Sequence, residues 1–260
     1  MKVDVALTNT FTRGDLIVDI KNCVCAVIDV IRATTTIAVI FGSGADSIII
    51  ASSLEEAFKL KEYFPKRILC GEKNVVRPDG FNFGNSPLEF SKIDLTGKKV
   101  IFKTTNGTVS FLKVRKAPAV FSLASINLDY TVDFIVNYAY KNSRDVLIIC
   151  SGQEGKIAYD DTYIAGLAVK RIMTKPYNFN YSESAKLVLS SVLGDKDIKG
   201  ALLRSVSAKI LLEAGFEDDV EYCSRLNVYD LLIESSVMNS KENKMDFEEL
   251  LELRIYKARN

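Results

Sequence analysis

Apolar residues along the chain gather into short runs, and the runs alternate between two periodicities. Residues 2–7, 24–30, 46–51, 67–70, 100–103, 119–123 and 145–150 are compact and rich in β-branched side chains, and each predicts a strand. The core of the last, Val146-Leu147-Ile148-Ile149, is wholly apolar, as a strand covered on both faces must be. Between these runs, residues 34–41, 54–64, 108–114, 128–141 and 159–173 predict helices. Thr34 or a neighbour caps the first of these, and Gly42 and Gly44 end it. Ser52 and Ser53 each have an acidic residue three positions on, which predicts a capped start for the second.

Strands alternating with helices predict a three-layer α/β/α architecture around a largely parallel or mixed sheet. Past Pro176 the pattern turns helical over 182–193, 198–214 and 218–225, with a short run at 229–233 as a last strand. No polar linker intervenes, so residues 1–260 are read as one α/β domain whose 176–260 portion is mostly helical. Residues 241–260 carry five basic and five acidic side chains beside Phe247, Leu250 and Leu251. That pattern predicts a solvated helix packed by one face, with a homodimer contact as one use of the face. The long stretch 71–98 is irregular, and its Gly and Pro spacing predicts fixed turns in a binding loop. Phe81, Phe83 and Phe90 are read as its anchors in the core.

Composition narrows the chemistry by exclusion. The formal net charge is +1, which gives no electrostatic footprint for nucleic acid or an anionic membrane. No apolar run approaches the ~20 residues of a spanning helix, and the start lacks a cleavage pattern, so a cytoplasmic protein is expected. Five scattered cysteines are expected to be reduced thiols used as small hydrophobes. The chain has no histidine, which removes Ser-His-Asp and Cys-His catalysis and the common zinc hydrolase sites. With 33 acidic residues, magnesium on carboxylates becomes the natural cofactor of any catalysis.

Three strands end in unusual polar sets. The first is Ile28-Asp29-Val30-Ile31-Arg32-Ala33-Thr34-Thr35-Thr36, where amides and hydroxyls at a helix start could cradle an anion. Arg32 could clamp the same anion, with Asp29 as metal ligand or nucleophile. The plain structural alternative is an Asp29–Arg32 pair with threonines that only cap a helix. The second set is Thr104-Thr105-Asn106-Gly107-Thr108, a source of neutral donors with a glycine that permits close approach. The third is Glu154 with Asp160 and Asp161, whose oxygens could converge on one octahedral ion or simply suit a helix N-terminus. Glu72, after Gly71, lies at the same level, and Asn85 and Ser86 could reach a substrate if the long loop folds over. The templates of an Asp-x-Asp phosphatase, a Cys-x5-Arg phosphatase and a Walker loop all fail here: position 31 is Ile, and Lys156 follows Cys150 at six.

Taken in order, the Asp29 to Thr36 motif, Gly71-Glu72, Gly80-Phe81-Asn82-Phe83-Gly84-Asn85-Ser86-Pro87, the Thr104 to Thr108 motif, and Gly152-Gln153-Glu154-Gly155 with Asp160-Asp161-Thr162 resemble the 2-phosphosulfolactate phosphatase family. Glu217-Asp218-Asp219-Val220-Glu221-Tyr222 resembles that family's acidic C-terminal segment. The chain departs from the family at 229–234, which lacks a proline, and in its charged tail. The resemblance implies a magnesium-dependent phosphatase that hydrolyses 2-phospho-3-sulfolactate to 3-sulfolactate, a step toward coenzyme M. It implies a small anionic substrate, Asp29, Arg32 and Glu154 in catalysis, and magnesium on Asp29, Glu72, Asp160 or Asp161. Thr34, Thr35, Asn85, Ser86, Thr104, Thr105, Asn106 and Gly107 would bind substrate. A phosphatase of another small phosphorylated acid and a non-catalytic anion-binding regulator are the alternatives.

Overall fold

The β-branched runs become strands of one sheet, and the helical runs cover its two faces. The computed structural model describes residues 1–194, 197–238 and 249–256. The strands are β1 (Lys2–Ala6), β2 (Cys23–Ile28), β3 (Ser47–Ile50), β4 (Ile68–Gly71), β5 (Lys99–Lys103), β6 (Ala119–Leu123), β7 (Asp145–Cys150), β8 (Asn180–Tyr181), β9 (Ile233–Met238) and β10 (Leu250–Ile255). Their order is β4-β5-β3-β10-β9-β6-β2-β7-β1-β8. The helices are α1 (Ala33–Gly42), α2 (Leu54–Tyr63), α3 (Pro87–Phe90), α4 (Gly107–Val114), α5 (Leu128–Lys141), α6 (Tyr159–Met173), α7 (Glu183–Leu193), α8 (Ile198–Leu203), α9 (Val206–Glu213) and α10 (Glu217–Cys223). The layers match the α/β/α expectation, and α5 and α6 have the bounds that their periodicity predicts.

Alternation along each strand sorts the core into layers. Val24, Ala26 and Ile28 of β2 face α5 and α6, whereas Cys23, Cys25 and Val27 face α1 and α4. Helix α1 is buried from Ala33 to Phe41, so it has no polar face and sits as an internal rod against the sheet. At the other end, Ile49 of β3 and Ile101 of β5 pack on Ala57 and Leu60 of α2. Ser53 starts α2 by accepting from the Glu56 amide, and Glu56 returns a bond from the Ser52 amide.

The sheet is parallel on either side of an antiparallel β9–β10 pair. β9 runs against β6, β10 against β9, and β3 against β10, so the β3-β5-β4 group runs opposite in sense to the β6-β2-β7-β1 group. Five steps separate β2 from β5, and a twist of about 20–25° per step turns the second group by roughly 100–125°. That rotation offsets much of the reversal and lets carboxyl ends from both groups meet. The meeting itself is direct: a Cβ placed on Gly107, beyond β5, would lie 2.9 Å from Asp29 Oδ2, beyond β2.

The C-terminal portion corrects the sequence reading. Residues expected to be a helix supply β10, while 241–248 and 257–260 of that same stretch lie outside the described residues. Leu250, Leu251 and Leu253 are buried, and Glu252 is carried into the sheet by Arg67, 2.8 Å away. An apolar run this short reads equally as helix or strand, and the tertiary partner decides. The last strand expected at 229–233 begins only at Ile233. The helix expected at 198–214 breaks at Ser205, whose hydroxyl accepts from Ala208 and starts α9.

Candidate active site

Strand ends β2, β4, β5 and β7 open on a cavity of about 270 Å³. Asp29, Arg32, Glu72, Asn85 and Glu154 line it, as do Thr104, Thr105 and Asn106. The sequence motifs therefore converge. Ser207, Ile210 and Leu211 of α9 close the cavity and carry no sequence signal of their own, since they belong to an ordinary capped helix.

Asp29 leaves β2 and turns back onto the first turn of α1, where its Oδ1 accepts from the Ala33 amide at 3.2 Å. Gly107 presses on it from the other side. A side chain there would meet Ala33 Cβ at 2.7 Å, so only glycine lets α4 come this close. Burial, above all, lifts the Asp29 pKa to about 7; Asp160 and Glu72 add to the rise, and the Ala33 and Gly107 amides oppose it. Burial also raises Asp160 to about 6 and Asp161 well above its ordinary value. These acids share one field and titrate as a group.

The threonines serve the backbone. Thr34 Oγ1 donates to the Asp29 carbonyl, Thr35 Oγ1 to the Val30 carbonyl and Thr36 Oγ1 to the Asn85 carbonyl, so Thr34 and Thr35 do not line the cavity as the substrate-binding expectation required. A hydroxyl at a helix start finds a carbonyl of the incoming chain before it finds a ligand. Ser86 is also drawn off: its hydroxyl donates to Asp219 Oδ1 at 2.6 Å. Gly107 acts by its smallness rather than as a lining group.

Arg32 does not pair with Asp29. The Ile31–Arg32 peptide is cis, and the guanidinium runs to Asp219 Oδ2 at 2.7 Å and to the Val75 carbonyl at 2.6 Å, with its carbon 4.6 Å from the centre of the Phe216 ring. Asp219, one residue of the acidic segment, is thus singled out by a buried ion pair. Glu72 is equally committed, its Oε1 accepting from the Thr105 amide at 2.6 Å and Oε2 from Val75 at 3.0 Å. Val75 has a φ of 62°, an uncommon conformation for a β-branched residue, and its amide and carbonyl are both held. Gly71, φ 139°, makes this turn feasible, because a Cβ would fall 1.9 Å from the Lys103 carbonyl oxygen.

Of the four expected metal ligands, Asp161 spends both oxygens on the Val30 and Gly152 amides, and Asp160 accepts from Ser207. Neither lines the cavity, and among the described residues no three acidic, cysteine or histidine side chains are grouped to hold a metal. The oxygens that fit a cation are fewer. Asp29 lines the cavity, and among the described residues buried Asn85 Oδ1 accepts no hydrogen bond. A carboxylate, an amide oxygen and water suit magnesium, which needs only one or two carboxylates. The cavity walls carry Asp29, Glu72 and Glu154 against Arg32 alone, so an anion could enter only with a compensating cation. Cys150, behind this wall, is fully buried, and burial drives its thiol well up, so it offers no thiolate nucleophile.

A family model described as 2-phosphosulpholactate phosphatase matches residues 12–237. The chain belongs to that family. A Thermotoga maritima protein named probable 2-phosphosulfolactate phosphatase is 34% identical over 204 residues, 78% of this chain and 85% of its own. A Clostridium perfringens protein of the same name is 30% identical over 238 residues, covering 90% and 93%. One from Clostridium acetobutylicum is 28% identical over 233 residues, covering 89% and 96%. The 2-phosphosulpholactate phosphatase match includes every residue that lines the cavity and stops inside β9, before β10.

Proposed function

We propose that this chain hydrolyses the phosphate monoester of 2-phospho-3-sulfolactate, with magnesium, to 3-sulfolactate and phosphate. The observation that supports it is the buried Asp29 carboxylate at the end of β2, facing the Thr104–Asn106 loop across a cavity with excess negative charge. Asp29 and Asn85 Oδ1 are the groups that would hold the ion, with Glu72 behind them. When bound, magnesium supplies charge neutralisation at the phosphoryl oxygens.

The chain's own residues do the positioning. Thr105 presents a hydroxyl with no partner among the described residues, and Asn106 presents its amide beside it, so both offer neutral donors to phosphoryl oxygens. Arg32 lines the cavity and gives one N–H each to Asp219 and Val75, so its guanidinium is held rigidly in the wall with its charge already compensated by Asp219. Ser207, Ile210 and Leu211 form part of the cavity wall, and the two apolar side chains lower the local polarity, which strengthens each of these interactions.

A screen of phosphate release from small sulfonated and carboxylated phosphate monoesters, with magnesium and with chelator, tests the reading. Release from 2-phospho-3-sulfolactate that depends on magnesium is expected. Preference for a non-sulfonated ester would move the assignment to another small phosphorylated acid, and thermal stabilisation by these compounds without release would make the protein a binder.

A further inference from the structure

Beside the acidic cavity lies a second groove of about 580 Å³ that shares Arg32, Val75 and Asn85 as a common wall. Its charge is opposite. Arg77 and Lys92 line it against one acid, Glu89, whose Oε2 is turned onto the Gly84 amide at 3.2 Å. Arg77 spends a single hydrogen bond on the Asn82 carbonyl, and the Lys92 ammonium has no partner among the described residues. Phe83, Leu88, Ile93 and Phe216 give the groove an apolar floor, which focuses the field of its cations.

The acidic cavity has no cation to spare for a second anionic group, because its one guanidinium is already neutralised by Asp219. 2-Phospho-3-sulfolactate carries a phosphate, a carboxylate and a sulfonate on three carbons, so its other acids need positive charge close by. We propose that the groove is the specificity subsite of this phosphatase and takes the sulfonate, with Arg77 and Lys92 as its cations. The inference rests on the phosphatase reading and deepens it. It also divides the work between two kinds of chain: strand ends hold the phosphate, and the 71–98 loop reads the substrate's sulfonate.

Arg77 and Lys92 are exposed, so their replacement does not threaten the fold. The test compares wild type with Arg77→Ala, Lys92→Ala and the double variant, in magnesium, on 2-phospho-3-sulfolactate and on 2-phospholactate, which lacks only the sulfonate. Losing charge-assisted hydrogen bonds should lower kcat/KM on the sulfonated ester by about tenfold or more in the double variant, through KM, and leave 2-phospholactate unchanged. Equal losses on both esters, or no loss on either, overturn the assignment. A second readout is independent of turnover: 3-sulfolactate should raise the melting temperature of wild type and not of the double variant, while inorganic phosphate protects both. If wild type releases phosphate from neither ester, the phosphatase reading fails, and the melting experiment still decides the subsite: protection by 3-sulfolactate that survives the double substitution sinks it.

Discussion

Asp29 holds a carboxylate where its surroundings favour the neutral acid. Its folded pKa of about 7 exceeds the ordinary 3.8, so between those values the folded chain binds a proton that the unfolded chain has released. Stability therefore falls as pH rises through this window. The metal-free protein should melt lower at pH 8 than at pH 5.5, and magnesium should restore more at pH 8; calorimetry with and without chelator measures both. Asp29→Asn removes the charge, and should raise the metal-free melting temperature at pH 8 by about 3 °C or more while cutting turnover by roughly a thousandfold. A lower melting temperature for that variant would contradict the account. Gly107→Ala sets two effects against each other. Alanine normally favours a helix over glycine by about 0.5–1 kcal/mol, but overpacking costs about 1–3 kcal/mol. Contacts at 2.7 Å on Ala33 and 2.9 Å on Asp29 decide for overpacking. A net destabilisation is expected in urea melts, with turnover down about tenfold to a hundredfold from displacement of Asp29.

At the scale of elements, α10 acts as a clasp. Through Asp219 it holds Arg32 at the start of α1 and Ser86 in the 71–98 loop. Asp219→Asn leaves a buried guanidinium without its counter-charge and should cost about 3–5 kcal/mol, whereas Ser86→Ala should cost about 1 kcal/mol; denaturant midpoints separate them. The clasp also marks where sequence reading ends. Asp29, Glu72, Thr104–Asn106 and Glu154 were legible because a cluster of polar residues directly follows each apolar strand run. α5 and α6 were legible because fourteen and fifteen residues sustain one periodicity. Asp219 and Ser207 were not legible as pocket partners, since each sits on a short helix whose placement depends on contacts far away in sequence. Thr34 and Thr35 misled for a related reason: residue type shows a hydroxyl, and only the chain's path shows which carbonyl takes its proton. The strand β10 was hidden because Leu-Leu-Glu-Leu-Arg-Ile is too short for its period to choose, and its buried Glu252 has its partner, Arg67, 185 residues away along the chain.

For the whole molecule, that partner is a key in the centre of the sheet. Arg67 reaches Glu252 at 2.8 Å, Ser47 Oγ at 3.1 Å and the Val100 carbonyl at 3.2 Å, so one guanidinium fixes β10 against β3 and β5. Glu252→Ala should cost about 3–5 kcal/mol, and an added Arg67→Met should recover much of it, which a double-mutant cycle in denaturant measures. The hairpin that this ion pair secures also sets the timing of folding. Ile50 must find Leu251, and Ser122 must find Ile233, before the two parallel groups become one sheet. Until then β3 and β6 each present an open edge, and the cavity, which draws residues from both groups, does not exist. Pairings so distant along the chain close slowly and leave those edges available to neighbouring molecules. A cell making this enzyme therefore faces a race between closure by the last hairpin and aggregation, and the yield of active protein should respond to temperature and chaperone supply far more than its final stability would suggest.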